Sequence, residues 1–148
     1  MRSGKENVGM RKIEETMPSE SEWLLMEVLW ESGTPLTSTE VLNRLKGKSD
    51  MTLRMVRVLM SRLSGKGLLG FTVDENDARV YHYYAIKSKE ECLNEKSKRF
   101  VNSYFAGSRT NAVAALLQGI TLTDEQIKEL EEILEKSKEQ DQERDGKG

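Results

Sequence analysis

Thr52-Leu53-Arg54-Met55-Val56-Arg57-Val58-Leu59-Met60-Ser61-Arg62-Leu63 is the stretch on which the fold turns. Set on a helix at about 100° per residue, Leu53, Val56, Leu59, Met60 and Leu63 gather on one side. Arg54, Arg57, Val58 and Ser61 point the other way, with Met55 and Arg62 on the flank. Thr52 is a good N-cap, and Gly65 with Gly67 stops the helix. One side therefore needs burial, while the other is basic and slender. Arginines on such a side can reach phosphates and guanine edges in a major groove. The pattern is that of a DNA-recognition helix.

The flanking sequence supplies what such a helix needs. Ser19 with Glu22 forms a capping box that opens a helix through Trp23, Met26, Val28, Leu29 and Trp30 to Gly33. The two tryptophans read as packing residues rather than a ligand cage. Thr37 with Glu40 repeats the box and opens a second helix through Val41, Leu42 and Leu45 to Gly47. After the arginine-bearing helix, Leu68–Val73 and Arg79–Ile86 are rich in β-branched and aromatic residues, and Asp74–Ala78 between them is a polar turn. Three helices followed by a hairpin make a winged helix-turn-helix. Arg79, near the hairpin tip, is placed to meet a phosphate. His82, the only histidine, has no acid, Cys or Ser at catalytic spacing and reads as a strand residue.

Beyond Ile86 the chain is helical over Ser88–Phe105, with Cys92, Leu93, Phe100, Val101, Tyr104 and Phe105 as candidate buried positions. A short helix, Asn111–Gln118, follows. Thr123 with Gln126 then caps a last helix carrying Ile127, Leu130, Ile133 and Leu134 as a stripe. These helices are too few and thin to enclose a core, so Phe105, Leu116 and the stripe are expected to pair with a second copy. The expected organisation is mainly α with a small β-hairpin wing (α+β). A disordered leader occupies residues 1–17, the winged-helix DNA-binding domain 18–86, a helical dimerisation domain 87–136 and a disordered tail 137–148.

Apolar residues make up 36% and charged residues 32% of 148, with a net charge of −2. That balance alone argues against a nucleic-acid binder, but the distribution of charge along the chain points the other way. Arg44 to Lys66 holds seven basic residues against one acid, Asp50, whereas Lys87 to the end holds 11 basic and 13 acidic. A local positive field is the footprint of a DNA-binding module. No apolar run approaches the roughly 18 to 20 residues needed to span a bilayer, and no signal-peptide core opens the chain, so a cytoplasmic protein is expected. A single cysteine, Cys92, excludes an internal disulfide, and no Cys/His cluster suits a metal. Neither cofactor nor catalytic constellation is expected.

From Ser19 to Leu134 the chain resembles the penicillinase-repressor family of bacterial winged-helix regulators, which includes BlaI, MecI and CopY. The resemblance rests on Ser21-Glu22-Trp23-x-x-Met26 with Trp30, on Thr37-Ser38-Thr39-Glu40-Val41, and on Arg57-x-Leu59-x-Ser61-Arg62-Leu63-x-x-Lys66-Gly67. Phe100-Val101-Asn102 and Leu122-Thr123-x-Glu125-x-Ile127-x-Glu129-Leu130 extend it. It implies a homodimeric repressor on a dyad-symmetric double-stranded DNA operator. In BlaI- and MecI-like members it further implies relief by cleavage, triggered by a membrane sensor-protease. The positions matching the scissile bond are Arg99 and Phe100, with Arg standing where the pattern has Asn. The paired Cys-x-Cys motifs of CopY-like members are missing, which excludes copper sensing by that route. Met55 stands where close relatives have Thr, implying an apolar contact, such as with a thymine methyl, in place of a hydrogen bond.

Arg54, Arg57 and Arg62 are thus expected on phosphates or guanines, with Thr52, Met55 and Val58 beside them and Ser61 and Thr37 fixing register on the backbone. The competing readings are a winged helix used for protein–protein contact, opposed by the basic face, and a ligand-sensing repressor, opposed by the few polar residues converging on any apolar cluster.

Overall fold

The computed structural model describes residues 16–146, with side chains through residue 140. Three helices come first: α1 (Glu20–Ser32), α2 (Ser38–Leu45) and α3 (Leu53–Gly65). Two strands, β1 (Leu69–Val73) and β2 (Tyr81–Ala85), form an antiparallel hairpin, and α4 (Lys89–Phe105), α5 (Arg109–Gln118) and α6 (Asp124–Gly146) complete the chain. The winged helix-turn-helix is therefore present in the order expected.

Capping chemistry sets the helix starts. Ser19 and Thr37 each accept from the amide three residues on, and Glu22 and Glu40 accept from the cap amides in return. Thr52 Oγ1 accepts from Met55 N at 3.2 Å. At the end of α3, Gly67 takes the left-handed conformation (φ 78°), and Leu68 N donates back to Leu63 O at 3.0 Å. Leu63 and Leu68 are both buried, giving the apolar contact that completes such a helix end.

The apolar sides of the three helices meet in one core. Leu25, Met26, Val28 and Leu29 of α1, Val41 and Leu45 of α2, and Val56, Leu59, Met60 and Leu63 of α3 are buried together with Leu36, Leu68 and Leu69. Each such side chain contributes about 1.5–3 kcal/mol by leaving water. Met17, expected in a disordered leader, lies in this core, while residues 1–15 fall outside the described chain.

The hairpin pairs Leu69 with Ala85, Phe71 with Tyr83 and Val73 with Tyr81. A single residue before α2 extends it: Leu36 N donates to Tyr83 O (2.9 Å), and Tyr83 N donates to Leu36 O (2.8 Å). This bridge fixes the N-terminus of α2 against the base of the wing. Trp30 Nε1 donates to Lys87 O at 2.9 Å, tying α1 to the exit from the wing. Across the strands, the Tyr84 ring lies over Gly70 and fills the space a Cβ would need.

Compactness divides the chain into Met1–Phe100 and Val101–Gly148. Residues 87–100 therefore belong with the winged helix, where Cys92 is buried. Of the positions expected to be buried on α4, Leu93, Phe100 and Tyr104 are exposed, Tyr104 at 76%. In the second unit Ala112 is the one buried apolar residue among the described residues. The stretch expected as a disordered tail continues α6 as far as Gly146. Its Glu, Gln and Lys residues are strong helix formers, and Glu132 stands one turn before Lys136, so the helix persists with no apolar face to bury. Among the described residues no helix is long and apolar enough to cross a membrane.

Candidate nucleic-acid interface

Helix α3 presents the face its spacing predicts. Arg54, Met55, Arg57, Val58, Ser61 and Arg62 are all exposed, and Val56, Leu59, Met60 and Leu63 hold the opposite side in the core. Among the described residues, the ion pairs engage Lys66, Arg79, His82, Lys87 and Lys89, and leave Arg54, Arg57 and Arg62 without an acid partner. Three guanidiniums thus stand free on one surface. A stable protein gains little from them there, whereas a polyanion would gain much.

The Leu36–Tyr83 bridge brings a second element to this surface. Thr37, Ser38 and Thr39 at the start of α2, Arg57 of α3, and Arg79, Val80, Tyr81 and Tyr83 of the wing line a shallow notch of about 280 Å³. Burial raises the Tyr83 phenol above its ordinary range, the charge of Tyr81 adds to this, and the positive field of Arg57 opposes it. Thr37 uses its hydroxyl oxygen to cap α2, leaving the hydroxyl proton to donate. Ser38 and Thr39 entered the sequence reading only as part of the Thr37-Ser38-Thr39-Glu40-Val41 motif and not as DNA contacts, since no pattern marks them as such beyond their place after the cap.

Not every basic residue in the positive run faces this surface. Lys66 turns inward, where its Nζ lies 2.5 Å from Glu22 Oε1 and donates to Met17 O at 3.1 Å. Glu22 is 2% exposed. Burial pushes its carboxyl up, but Lys66 and the bonds from Ser19 more than offset this and hold it below the usual carboxylate value. Lys66 therefore joins α1 to the end of α3 and does not contribute to the outward field.

The wing tip is less basic than one arginine suggests. Arg79 is 90% exposed, yet its Nε and Nη2 donate to the two Asp77 oxygens at 3.1 and 3.3 Å. This hydrogen bonding lowers the Asp77 carboxyl. Asp74 accepts from Asn76 N and Asp77 N and pairs with His82 Nε2 at 2.9 Å. The His82 bond is the main cause of its lowered pKa. His82 does therefore have an acid neighbour, across the hairpin, where the pair closes the turn. Among the described residues no group of three or more His, Cys, Asp or Glu could hold a metal ion.

The positions expected to pair two chains are mostly uncovered. Leu116, Ile127, Leu130, Ile133 and Leu134 are between 38% and 67% exposed, and Phe105 is half-buried. Arg99 and Phe100 lie within the helical backbone of α4.

The profile of the penicillinase-repressor family matches residues 18–136. The chain belongs to that family. Its members are transcriptional repressors, not enzymes. Among relatives, the methicillin resistance regulatory protein MecI of Staphylococcus aureus (strain N315) is 25% identical over 118 residues, covering 80% of this chain and 93% of MecI. The penicillinase repressor of Bacillus licheniformis is 28% identical over 129 residues, covering 87% and 96%. Among solved structures, Streptococcus pneumoniae FabT in complex with DNA is similar at 24% identity and a TM-score of 0.41, over 80% of this chain and 76% of that one. This last likeness is too loose to bear on function.

Proposed function

We propose that this family member represses transcription in the cytoplasm as a homodimer, each subunit laying α3 in the major groove of one half of a dyad-symmetric operator. The observation that carries the reading is the set of three guanidiniums on α3 that no acid of the described chain neutralises. Beside them, the start of α2 and the base of the wing offer hydroxyls and amides to the flanking phosphates, while Arg79 stays paired with Asp77. The dimer is supported by the second unit, which leaves Val113, Leu116, Ile120, Ile127, Ile133 and Leu134 exposed. Apolar surface on that scale requires a cover, and a second copy supplies one while doubling the DNA contacts.

Salt titration of operator binding tests the DNA reading. Affinity should fall steeply, with the logarithmic slope reduced by about 0.9 for each of Arg54, Arg57 and Arg62 that contacts a phosphate and is replaced by Ala. A salt-independent complex would sink it. Sedimentation of the full chain tests the dimer, which a monomer at micromolar concentration would refute.

Relief by proteolysis fits the same plan. The Arg99–Phe100 bond adjoins the junction of the two compact units after Phe100, so a cut there would release a winged helix without its pairing helices. Loss of the second half-site's effective concentration would then free the operator. Mass spectrometry of the protein from induced cells is decisive: derepression with the chain intact would remove this step. A ligand-sensing mechanism is not favoured, because the trough beside Trp23, lined by Ser19, Glu20, Leu93 and Lys96, is wide open to solvent.

A further inference from the structure

The outward side of α3 is not uniformly polar. Val58 lies at its centre, with Arg54 one turn before and Ser61 and Arg62 one turn after, and it is 44% exposed. Met55, three residues before Val58, is 49% exposed. Neither side chain joins the core cluster. A β-branched residue on an exposed helix is also a poorer helix former than Ala, so helix stability does not account for Val58. Apolar surface is therefore held among free arginines, on the surface that would enter the groove.

The arginines decide what can cover it. A second copy of the same face would bring like charges together, whereas DNA neutralises them. On the base edges of the major groove the apolar group is the thymine C5-methyl. We infer that Val58 and Met55 are specificity-determining residues that pack on thymine methyl groups, so that each operator half-site carries thymine between the positions held by the arginines. This rests on the DNA-binding reading above and names what that surface selects. Val58 and Met55 exclude water from the methyl, while neighbouring guanidiniums hold phosphates or guanine.

Selection of duplexes from a random-sequence library with the full chain, followed by replacement of each thymine of the consensus by deoxyuridine, provides the test. The expected result is a thymine in each half-site whose conversion to uracil weakens binding about fourfold, the effect of one buried methyl. Val58→Ala or Met55→Ala, surface changes that α3 tolerates, should bring the thymine-to-uracil ratio at one position close to one. Equal affinity for the thymine operator and an operator with uracil throughout would overturn the inference while leaving DNA binding intact. So would full discrimination retained by both variants. Recovery of no preferred duplex would instead overturn the DNA-binding reading, and this inference with it.

Discussion

Replacing Lys66 by Met gives the sharpest test of how α3 is held. Lys66 is 22% exposed, and Glu22, its partner 44 residues away, is 2% exposed. The second Glu22 oxygen, Oε2, is buried and makes no hydrogen bond among the described residues. Lys66→Met would leave that carboxylate in the core held by its bonds from Ser19 alone. Breaking a buried pair on one side costs about 3–5 kcal/mol, and the partial exposure of Lys66 points to the lower end. For a domain of this size a loss of about 3 kcal/mol lowers Tm by at least about 12 °C. Both tryptophans, Trp23 and Trp30, sit in α1, so their fluorescence follows unfolding of the winged helix. The pH dependence should also change sign. With a lowered folded pKa, wild-type Glu22 contributes stability above its unfolded value, lost as pH falls through the folded one. Without Lys66 burial dominates, the folded pKa is raised, and the variant should lose stability as pH rises past the ordinary carboxylate range. The double variant Glu22→Gln with Lys66→Met should recover most of the loss, since neither side then buries a charge. A single variant within about 1 kcal/mol of wild type, or a double variant no better than the single, would refute the assignment.

Three further outcomes are expected. Asp77→Asn should release Arg79 and steepen the salt dependence of DNA binding by about 0.9, the effect of one new phosphate contact; an unchanged slope would show that the wing tip stays clear of the backbone. Thr37→Ala should cost about 1 kcal/mol in urea unfolding through loss of the α2 cap, and should weaken operator binding beyond that if its hydroxyl also meets a phosphate. Leu130→Lys should shift sedimentation toward monomer while leaving the tryptophan-monitored transition in place. Unaltered sedimentation would remove Leu130 from any pairing surface.

Sequence alone determined whatever is set within a few residues. Capping pairs at Ser19/Glu22 and Thr37/Glu40, the core stripe Val56–Leu59–Met60–Leu63 and the hairpin all follow from side chains three, four or two positions apart. The exposed basic face of α3 followed as well, because a helix with one apolar side must offer its other side to solvent. Two features were less legible: Met17 joins the core through contacts its neighbours do not announce, and α6 persists on propensity where no apolar pattern marks it.

Only tertiary structure decided which charges remain available. Arg57, Arg62 and Lys66 belong to one basic run, yet Lys66 is withdrawn by a carboxylate 44 residues distant. The Leu36–Tyr83 bridge likewise joined the start of α2 to the wing and made the notch that contains Arg57 and Arg79. Helical and strand periods state where a side chain points around its own axis. They carry no information on what approaches from another part of the chain, and for a buried ion or an unpaired backbone group that approach fixes the energy.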